Sequence, residues 1–301
     1  MKSSLGLNIW TVFFLLFTGC NGIKEKGDSA YIASIQKWHG ERIERLKKDN
    51  GWLNLVGLYW LDEGENSFGS GPLNKIVFPK DKAPSDIGII ILKNGKASIR
   101  INRGIDVKSS GKPVSELNLV SDSAESATEL ALGSLRWVLI SRSGKYGIRL
   151  RDLDAPLVNN FKGIETYPIN EDWRLKAKFE PYNSPKIIPV STIIGTVEND
   201  TVPGELVFEI RGAEYKLDPI KEGTELFIIF ADKTNGSETY GAGRFLYASI
   251  PDSSGNVDLD FNKAYNPPCS FTKFATCPLP PKQNHLNIEV TAGEKFYGEG
   301  H

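Results

Sequence analysis

Apolar and polar positions divide the chain into a short N-terminal apolar run, one helical segment and a long series of strands. Between Ser29 and Asn50, apolar residues recur at helical spacing among charged residues. The pattern predicts one amphipathic helix over residues 29–50, ended by Asn50-Gly51, with its apolar stripe packed on the body of the protein. A membrane-surface helix is the alternative, which the mixed charges of the polar face disfavour. The stripe consists of Tyr31, Ile32, Ile35, Trp38, Ile43 and Leu46.

Beyond Gly51, short apolar or alternating runs are separated by turn signals, such as a turn predicted at Glu63–Asn66. Strands of this spacing favour sandwiches over alternating strand–helix units. We therefore predict an all-β fold with two packed antiparallel β-sandwich-like regions, residues 51–155 and 156–301, preceded by the N-terminal helix. The predicted strands are 53–61, 75–78, 88–92, 97–101, 116–119, 135–141, 146–151, 206–210, 214–217, 226–232, 244–250 and 256–262.

The N-terminal apolar run is preceded by Lys2 and ends in Leu15-Leu16-Phe17-Thr18-Gly19-Cys20. It is too short and too close to the terminus for a good spanning helix. It resembles the signal peptide of a bacterial lipoprotein, in which cleavage before Cys20 leaves a cysteine for acyl chains such as palmitate. The resemblance implies a signal peptide over residues 1–19, a polar tether over residues 20–28, and a lipid-anchored protein on the periplasmic or outer face of an envelope membrane. An ordinary secretory peptide and an uncleaved anchor are the alternatives.

The charges of the chain nearly cancel, with 36 Lys and Arg against 37 Asp and Glu. Nucleic-acid binding needs a basic stripe or cluster, which the sequence lacks, so a nucleic acid is not an expected partner. A second apolar run of transmembrane length is also missing from the sequence. The predicted membrane contact is therefore the lipid on Cys20.

If Cys20 is acylated, Cys269 and Cys277 remain as a pair in a compartment that permits disulfides. A bridge between them would contribute about 2–3 kcal/mol by closing a short loop, and it is our prediction. A metal site with His285 is the alternative, but structural zinc would need a fourth ligand. We predict neither a metal nor a cofactor. The candidates for that fourth ligand are His39 and His301.

Common catalytic signatures are missing, including the Gly-x-Ser-x-Gly elbow, His-Glu-x-x-His and the Walker loop. Strand alternation places Arg244 and Asp232 at the loop end of a largely apolar surface. Because an isolated buried charge is costly, each needs a partner. The two side chains either pair with each other, or Arg244 holds an anionic ligand while Asp232 orients it.

The segment from Asp260 to Pro281 is rich in proline and contains both Cys269 and Cys277, which predicts a rigid irregular loop. Such loops are good platforms for binding groups. We predict a protein that binds a small polar or anionic ligand in a pocket of the C-terminal β region. A hydrolase of envelope material, with Asp232 or Asp260 as general base, and a purely structural or interaction lipoprotein are the alternatives. The predicted pocket residues are Tyr240, Arg244, Asp260, Asn262, Tyr265 and Asn266.

Two resemblances cover most of the chain. Residues 239–245, 260–269 and Ala292-Gly293-Glu294, with Gly51-Trp52-Leu53, 57–61 and Tyr167-Pro168, resemble the domain-of-unknown-function family number 1684. That family implies no established activity, and its members without a lipoprotein signal also carry both cysteines, which leaves a thiol or metal role open. The strand order of residues 51–155 resembles a forkhead-associated sandwich. Its phosphothreonine-gripping turns correspond to Gly69-Ser70 and Ser85–Gly88, which lack the arginine and the histidine, so the resemblance implies the architecture without phosphopeptide binding.

Overall fold

The computed structural model describes residues 24–298. The predicted signal peptide, Cys20 and the first part of the tether lie outside the described residues, as does His301. Within the described part of the chain, no helix is long and apolar enough to cross a membrane. The chain is mostly β, with one long helix at its start, which confirms the predicted all-β class.

Helix α1 spans Ser29–Lys47 and packs on the body of the protein, as predicted. Asp28 caps it by accepting a hydrogen bond from the backbone N–H of Tyr31 at 2.8 Å, which satisfies a donor of the first turn. Ile35 and Leu46 are buried on its apolar face. Because these residues contact the C-terminal region, the helix is part of the folded body.

The N-terminal region is a sandwich of two sheets whose strand orders are β1-β11-β10-β9-β6-β7 and β3-β2-β4-β5-β8. Its core contains Phe68, Phe78 and Trp137, whose rings meet edge to face at 5.4–6.1 Å. The strands are β1 Leu55–Trp60, β2 Gly64–Gly69, β3 Ile76–Val77, β4 Gly88–Lys93, β5 Lys96–Ile101, β6 Lys108–Ser109, β7 Lys112–Pro113, β8 Glu116–Leu119, β9 Glu129–Leu132, β10 Leu135–Arg142 and β11 Lys145–Asp152.

The C-terminal region follows a short helix, α2 (Pro156–Asn160), and contains two further sheets, β14-β13-β12-β18 and β15-β16-β17. Both sheets contribute to a separate apolar core, which includes Leu206, Phe230 and Phe261. The strands are β12 Arg174–Ser191, β13 Val197–Ile210, β14 Ala213–Leu217, β15 Ile220–Glu222, β16 Glu225–Phe230, β17 Arg244–Ser249 and β18 Asn256–Asp260.

The structure corrects the strand assignment: β6, β7, β9 and β15 were not predicted, and β18 ends at Asp260, before the predicted end at residue 262. Glu63–Asn66 was expected to be a turn, but Gly64 already begins β2 and pairs with Leu92. Strand β12 was not predicted, and β13 was predicted only over residues 206–210, because β12 carries charged residues and three prolines that hide its strand character. One of them, Pro181, lies where the register between the two strands shifts.

Residues 261–298 form an irregular segment, which extends beyond the loop that the prolines predict over Asp260–Pro281. Short 3-10 turns occur at Phe261–Lys263, Pro268–Ser270 and Lys282–Asn284. Isolated bridges tie the segment to regular strands, for example Tyr265 to Phe245. Backbone contacts therefore hold the segment against the sheets. Such contacts restrict its motion, as expected of a loop that positions binding groups.

Candidate functional site

Arg244 and Asp232 form an ion pair inside the C-terminal region. Arg244 Nη2 lies 2.8 Å from Asp232 Oδ2, and neither side chain is exposed. Nη2 also donates to the carbonyl of Val290 at 2.9 Å, and Nη1 donates to the carbonyl of Ala292 at 2.5 Å. A buried guanidinium needs such partners. Of the two sequence-based alternatives, the structure contains the mutual ion pair.

Asp232 also organises the β16–β17 loop, which we define as residues 231–243. Its Oδ1 accepts from the N–H and the hydroxyl of Thr234, at 2.9 and 2.6 Å. The hydroxyls of Thr234 and Thr239 lie 2.8 Å apart. Asn235 donates to the hydroxyl of Thr239 at 3.0 Å and to the carbonyl of Tyr240 at 2.8 Å. The ion pair therefore positions the loop that presents Tyr240.

Asp260 and Asn262 attach helix α1 to the end of β18. The hydroxyl of Tyr31 donates to Asp260 Oδ1 at 3.0 Å and accepts from Asn262 Nδ2 at 2.9 Å. Asn262 also exchanges hydrogen bonds with the backbone of Asn170, at 2.9 Å in each direction. Its carbonyl contacts Nε2 of His39 at 3.0 Å. Burial of the imidazole lowers the pKa of His39, although the hydrogen bond with this carbonyl acts in the opposite direction. Asp260 is thus engaged in packing the helix.

Glu294 forms a second buried clamp, which the sequence reasoning missed. Its carboxylate accepts from Arg42 Nε at 2.5 Å and from the N–H of Asn266 at 2.7 Å. Arg42 Nη2 donates to the carbonyl of Asn266 at 2.8 Å, and the guanidinium lies 4.3 Å from the centre of the Tyr265 ring. Asn266 Nδ2 in turn donates to the carbonyl of Lys295 at 2.7 Å. The clamp joins helix α1 to two parts of the irregular segment. The sign of this clamp in the sequence was one acidic residue, Glu294, directly after the small residues Ala292 and Gly293.

The structure corrects the prediction of one shared pocket, because it does not bring the six predicted residues around one hollow. Tyr265 is half-buried and lines a cavity of about 300 Å³ beside helix α1. Tyr240 lines a different and larger cleft. Arg244 in particular cannot meet an anionic ligand without losing Asp232 and its carbonyl partners. The remaining predicted residues are buried and hydrogen-bonded inside the protein, namely Asp260, Asn262 and Asn266.

A cleft of about 1110 Å³ opens where three segments of the C-terminal region meet beside Glu165. They are the β16–β17 loop, the turn at Pro268–Ser270 and residues 295–298. The N–H of Phe296 donates to the carbonyl of Glu238 at 3.0 Å, which joins two of the segments. The rings of Tyr240 and Phe296 stack with centroids 5.8 Å apart and planes 4° from parallel. These contacts give the cleft one aromatic wall.

The cleft also carries charged and hydrogen-bonding groups. Glu165 and Glu238 contribute carboxylates, and Lys295 contributes an ammonium group. The hydroxyl oxygen of Ser270 is buried and has no hydrogen-bond partner among the described residues. A buried polar atom without a protein partner points to bound water or a ligand. Ligand sites of small molecules have this combination of apolar walls and a few polar groups. The further aromatic residues of the cleft are Phe271 and Tyr297.

Cys269 and Cys277 are neighbouring free thiols. Cys269 lines the cleft, whereas Cys277 is only 4% exposed. The N–H of Cys269 donates to Cys277 Sγ at 3.1 Å, and the hydroxyl of Tyr240 donates to the carbonyl of Cys269 at 3.3 Å. Hydrogen bonding from the Cys277 thiol lowers the pKa of Cys269, against the effect of burial. The predicted bridge is not formed here, so it stays a prediction, for which the structure supplies the proximity.

The alternative metal site is not assembled in the described part of the chain. Within residues 24–298, no group of three His, Cys, Asp or Glu residues is arranged to hold an ion. His285 is exposed, and its Nε2 lies 3.4 Å from the carbonyl of Pro280. His39 contacts the backbone of Asn262 beside helix α1. Neither histidine joins the two cysteines as a third ligand.

The two turns that correspond to the phosphothreonine-gripping turns of forkhead-associated sandwiches lie side by side. The N–H of Ser70 donates to the carbonyl of Pro84 at 2.9 Å, and that of Gly71 to the carbonyl of Ser85 at 2.8 Å. The architecture thus brings the turns together. Gly69-Ser70 and Ser85–Gly88 carry neither the arginine nor the histidine of the pattern.

Comparison with protein families confirms the resemblance of the C-terminal region. Residues 159–295 match the family described as "Protein of unknown function (DUF1684)". A comparison with curated proteins found no match.

Solved structures match parts of the chain. An uncharacterized protein of Haloarcula marismortui, solved by NMR, is 28% identical over 46% of this chain and 79% of its own, with a TM-score of 0.39. The FHA domain of FhaA, complexed with the intracellular domain of Rv3910, is 17% identical over 31% of this chain and 97% of its own, with a TM-score of 0.23. A structure from work on phosphothreonine-dependent FHA domain interactions is 17% identical over 31% of this chain and 92% of its own, also at 0.23.

Proposed function

We propose that the chain is a lipid-anchored protein of the bacterial cell envelope that binds a small polar ligand in the cleft beside Tyr240. The observation that carries the binding part is the cleft itself, with its volume of about 1110 Å³, its stacked aromatic wall and the unpartnered hydroxyl of Ser270. The anchoring part is supported by the apolar run that ends at Cys20.

The charge of the cleft narrows the class of ligand. The preference for an anionic ligand depended on Arg244, which is buried in its ion pair. The cleft instead combines the carboxylates of Glu165 and Glu238 with the single ammonium of Lys295. Its net negative charge disfavours anions and attracts cations. The ligand that fits best is therefore a small neutral or cationic molecule with a flat group that inserts beside the Tyr240–Phe296 stack.

Removing the aromatic wall should weaken binding without unfolding the protein. A thermal-shift screen of neutral and cationic metabolites should find a ligand that raises the melting temperature, because a ligand at 100 times its dissociation constant adds about 2.7 kcal/mol of stability. Tyr240→Ala should weaken its affinity about tenfold, since an aromatic pair contributes roughly 0.5–1.5 kcal/mol. Tyr215→Ala is the control, because Tyr215 stacks on Phe208, neither of which lines the cleft. Equal affinity for the two variants would contradict the proposal.

The lipid anchor has its own test. In a bacterial host fed labelled palmitate, the full chain should incorporate the label and Cys20→Ala should not. Cys269→Ala is the matched control and should be labelled like the wild type. Label that persists in Cys20→Ala, or that is missing from the wild type, would exclude the anchor and leave binding in the cleft untouched.

A further inference from the structure

The two thiols beside the cleft are placed in different surroundings. Cys269 is half-buried and lines the cleft, where a small molecule can reach it. Cys277 lies behind it at 4% exposure, with its Sγ 3.1 Å from the backbone nitrogen of Cys269. Cys269 therefore borders the cleft, and Cys277 contacts the backbone of Cys269 from the protein side.

The groups around the two cysteines favour a thiolate on Cys269, the cysteine that lines the cleft. The neighbouring Cys277 thiol is the largest cause that lowers the pKa of Cys269, and it outweighs the opposite effect of burial. The hydrogen bond with Cys269 and burial raise the pKa of Cys277, so the first proton leaves Cys269. A thiolate is the attacking species in thiol–disulfide exchange.

A buried arginine lies on the inner side of the pair. Arg149 is 7% exposed, and its Nε has no hydrogen-bond partner among the described residues. Its Nη2 lies 3.4 Å from the hydroxyl of Thr276, next to Cys277, and its nearest carboxylate in a salt bridge is that of Asp122 at 3.9 Å. The positive charge of Arg149 opposes the rise in the pKa of Cys277. It would stabilise a thiolate on Cys277 when that sulfur must react in turn.

We propose that Cys269 and Cys277 are a redox-active dithiol that reduces small disulfides entering the cleft. The proposal rests on the proposed use of the cleft as a ligand site and specifies its substrate class. The Cys269 thiolate attacks one sulfur of a disulfide RSSR, so that a bond forms between these sulfurs, the RS–SR bond breaks, and the first RS⁻ leaves and takes a proton from water. Cys277 then loses its proton and attacks Cys269 Sγ, which forms the Cys269–Cys277 bridge and releases the second thiol. The dithiol loses two electrons, and the disulfide gains them.

The charges of the cleft predict which disulfide reacts fastest. Glu165 and Glu238 outnumber Lys295, so the dication cystamine should enter more readily than the dianion dithiodiglycolate. At low salt the difference should be about tenfold in rate and should shrink as salt screens the carboxylates. The same two probes should react equally well with the protein unfolded in urea, after correction for their rates with a free thiol.

The test is the reaction of the reduced, full-length protein with cystamine, followed by thiol release and intact mass. Every protein compared carries Cys20→Ser, so that Cys269 and Cys277 are the only thiols of the starting protein. Wild type should release two thiols per chain and end as the internal disulfide. Cys277→Ser should stop at the mixed disulfide on Cys269 after releasing one thiol. Cys269→Ser should react at least about 100-fold more slowly, because the remaining thiol is buried and protonated. Equal rates for the two variants, or a wild type that stays as a mixed disulfide, would overturn the proposal.

A second measurement keeps the inference testable if a variant fails to fold. In folded wild type, limiting iodoacetamide should modify Cys269 at least about tenfold faster than Cys277, and in urea the rates should become equal. Faster modification of Cys277 in the folded protein would contradict the inference. A ligand that binds the cleft of Cys269→Ser and of wild type alike, with no exchange in either, would overturn the dithiol activity and leave the proposed binding function standing.

Discussion

Replacing Arg244 with methionine should lower the free energy of unfolding by about 3–5 kcal/mol, because it leaves the carboxylate of Asp232 buried without its counter-charge. The loss includes the hydrogen bonds that the guanidinium makes to the carbonyls of Val290 and Ala292. Methionine keeps most of the volume of the side chain, so a packing void is not the main cost. Urea unfolding of the purified variant measures the change directly.

The matched control is an arginine in an exposed ion pair. Arg174 lies 3.1 Å from Asp258, with both side chains about half exposed. Arg174→Met should cost less than about 1 kcal/mol, since solvent screens such pairs. If Arg244→Met were no more destabilising than Arg174→Met, the ion pair would not have the structural role assigned to it.

Gly293→Ala should lower the free energy of unfolding about as much as Arg244→Met, because of the backbone geometry at this glycine. Gly293 has a φ of 77°, in the left-handed region that disfavours side chains. A methyl group there would also overlap the carbonyl oxygen of Ala264 and would lie 2.8 Å from that of Phe261, and neither backbone oxygen can move freely. We expect a loss of about 4 kcal/mol or more, or failure to fold. Soluble yield and urea unfolding measure it.

Gly212→Ala separates the two causes. Gly212 has a φ of 80°, but a methyl group there would meet no atom within 4 Å. Gly212→Ala should therefore lower the free energy of unfolding by only about 1–2 kcal/mol, which is the cost of placing an alanine in the left-handed region. Equal effects of the two substitutions would show that the contact of Gly293 with the turn at Phe261–Lys263 is unimportant.

Local patterns were sufficient to predict helix α1 and most of the longer apolar strands. Helix α1 follows from the spacing of Tyr31, Ile35 and Leu46, and β18 from the alternation of Val257 and Leu259 with polar residues. Strand β12 was not predictable in this way, because Lys, Glu and Pro occupy positions that are exposed on both faces. The ion pair of Arg244 with Asp232 was predictable, since two charges at the loop end of an apolar surface require each other.

The site was less predictable, since it depends on contacts between distant segments. Tyr240 and Phe296 stack although a long stretch of sequence separates them, and the sequence gives no sign that Glu165 faces the same space. The polar residues between Asp260 and Asn266 misled the prediction for a physical reason. Buried polar groups that tie an irregular segment to a helix have the same composition as a ligand site. Only the partners of each group distinguish the two roles.

The fold and the candidate site are connected through the β16–β17 loop. Asp232 accepts hydrogen bonds from Arg244 and Thr234, and the loop it fixes ends in the wall that Tyr240 forms. The Glu294 clamp fixes the opposite side, because Lys295 and Phe296 follow it directly. Both buried charge clusters therefore hold the walls of the cleft in place.

The central claim is that the cleft binds the ligand while the buried polar residues hold the fold. A crystal structure of the protein with a ligand selected by thermal shift tests it most directly. We predict electron density for the ligand beside the Tyr240–Phe296 stack, within hydrogen-bond distance of the Ser270 hydroxyl, and an unchanged Arg244–Asp232 ion pair. A ligand bound to Arg244 or Asp260, with the ion pair or the Tyr31 contact broken, would contradict the claim.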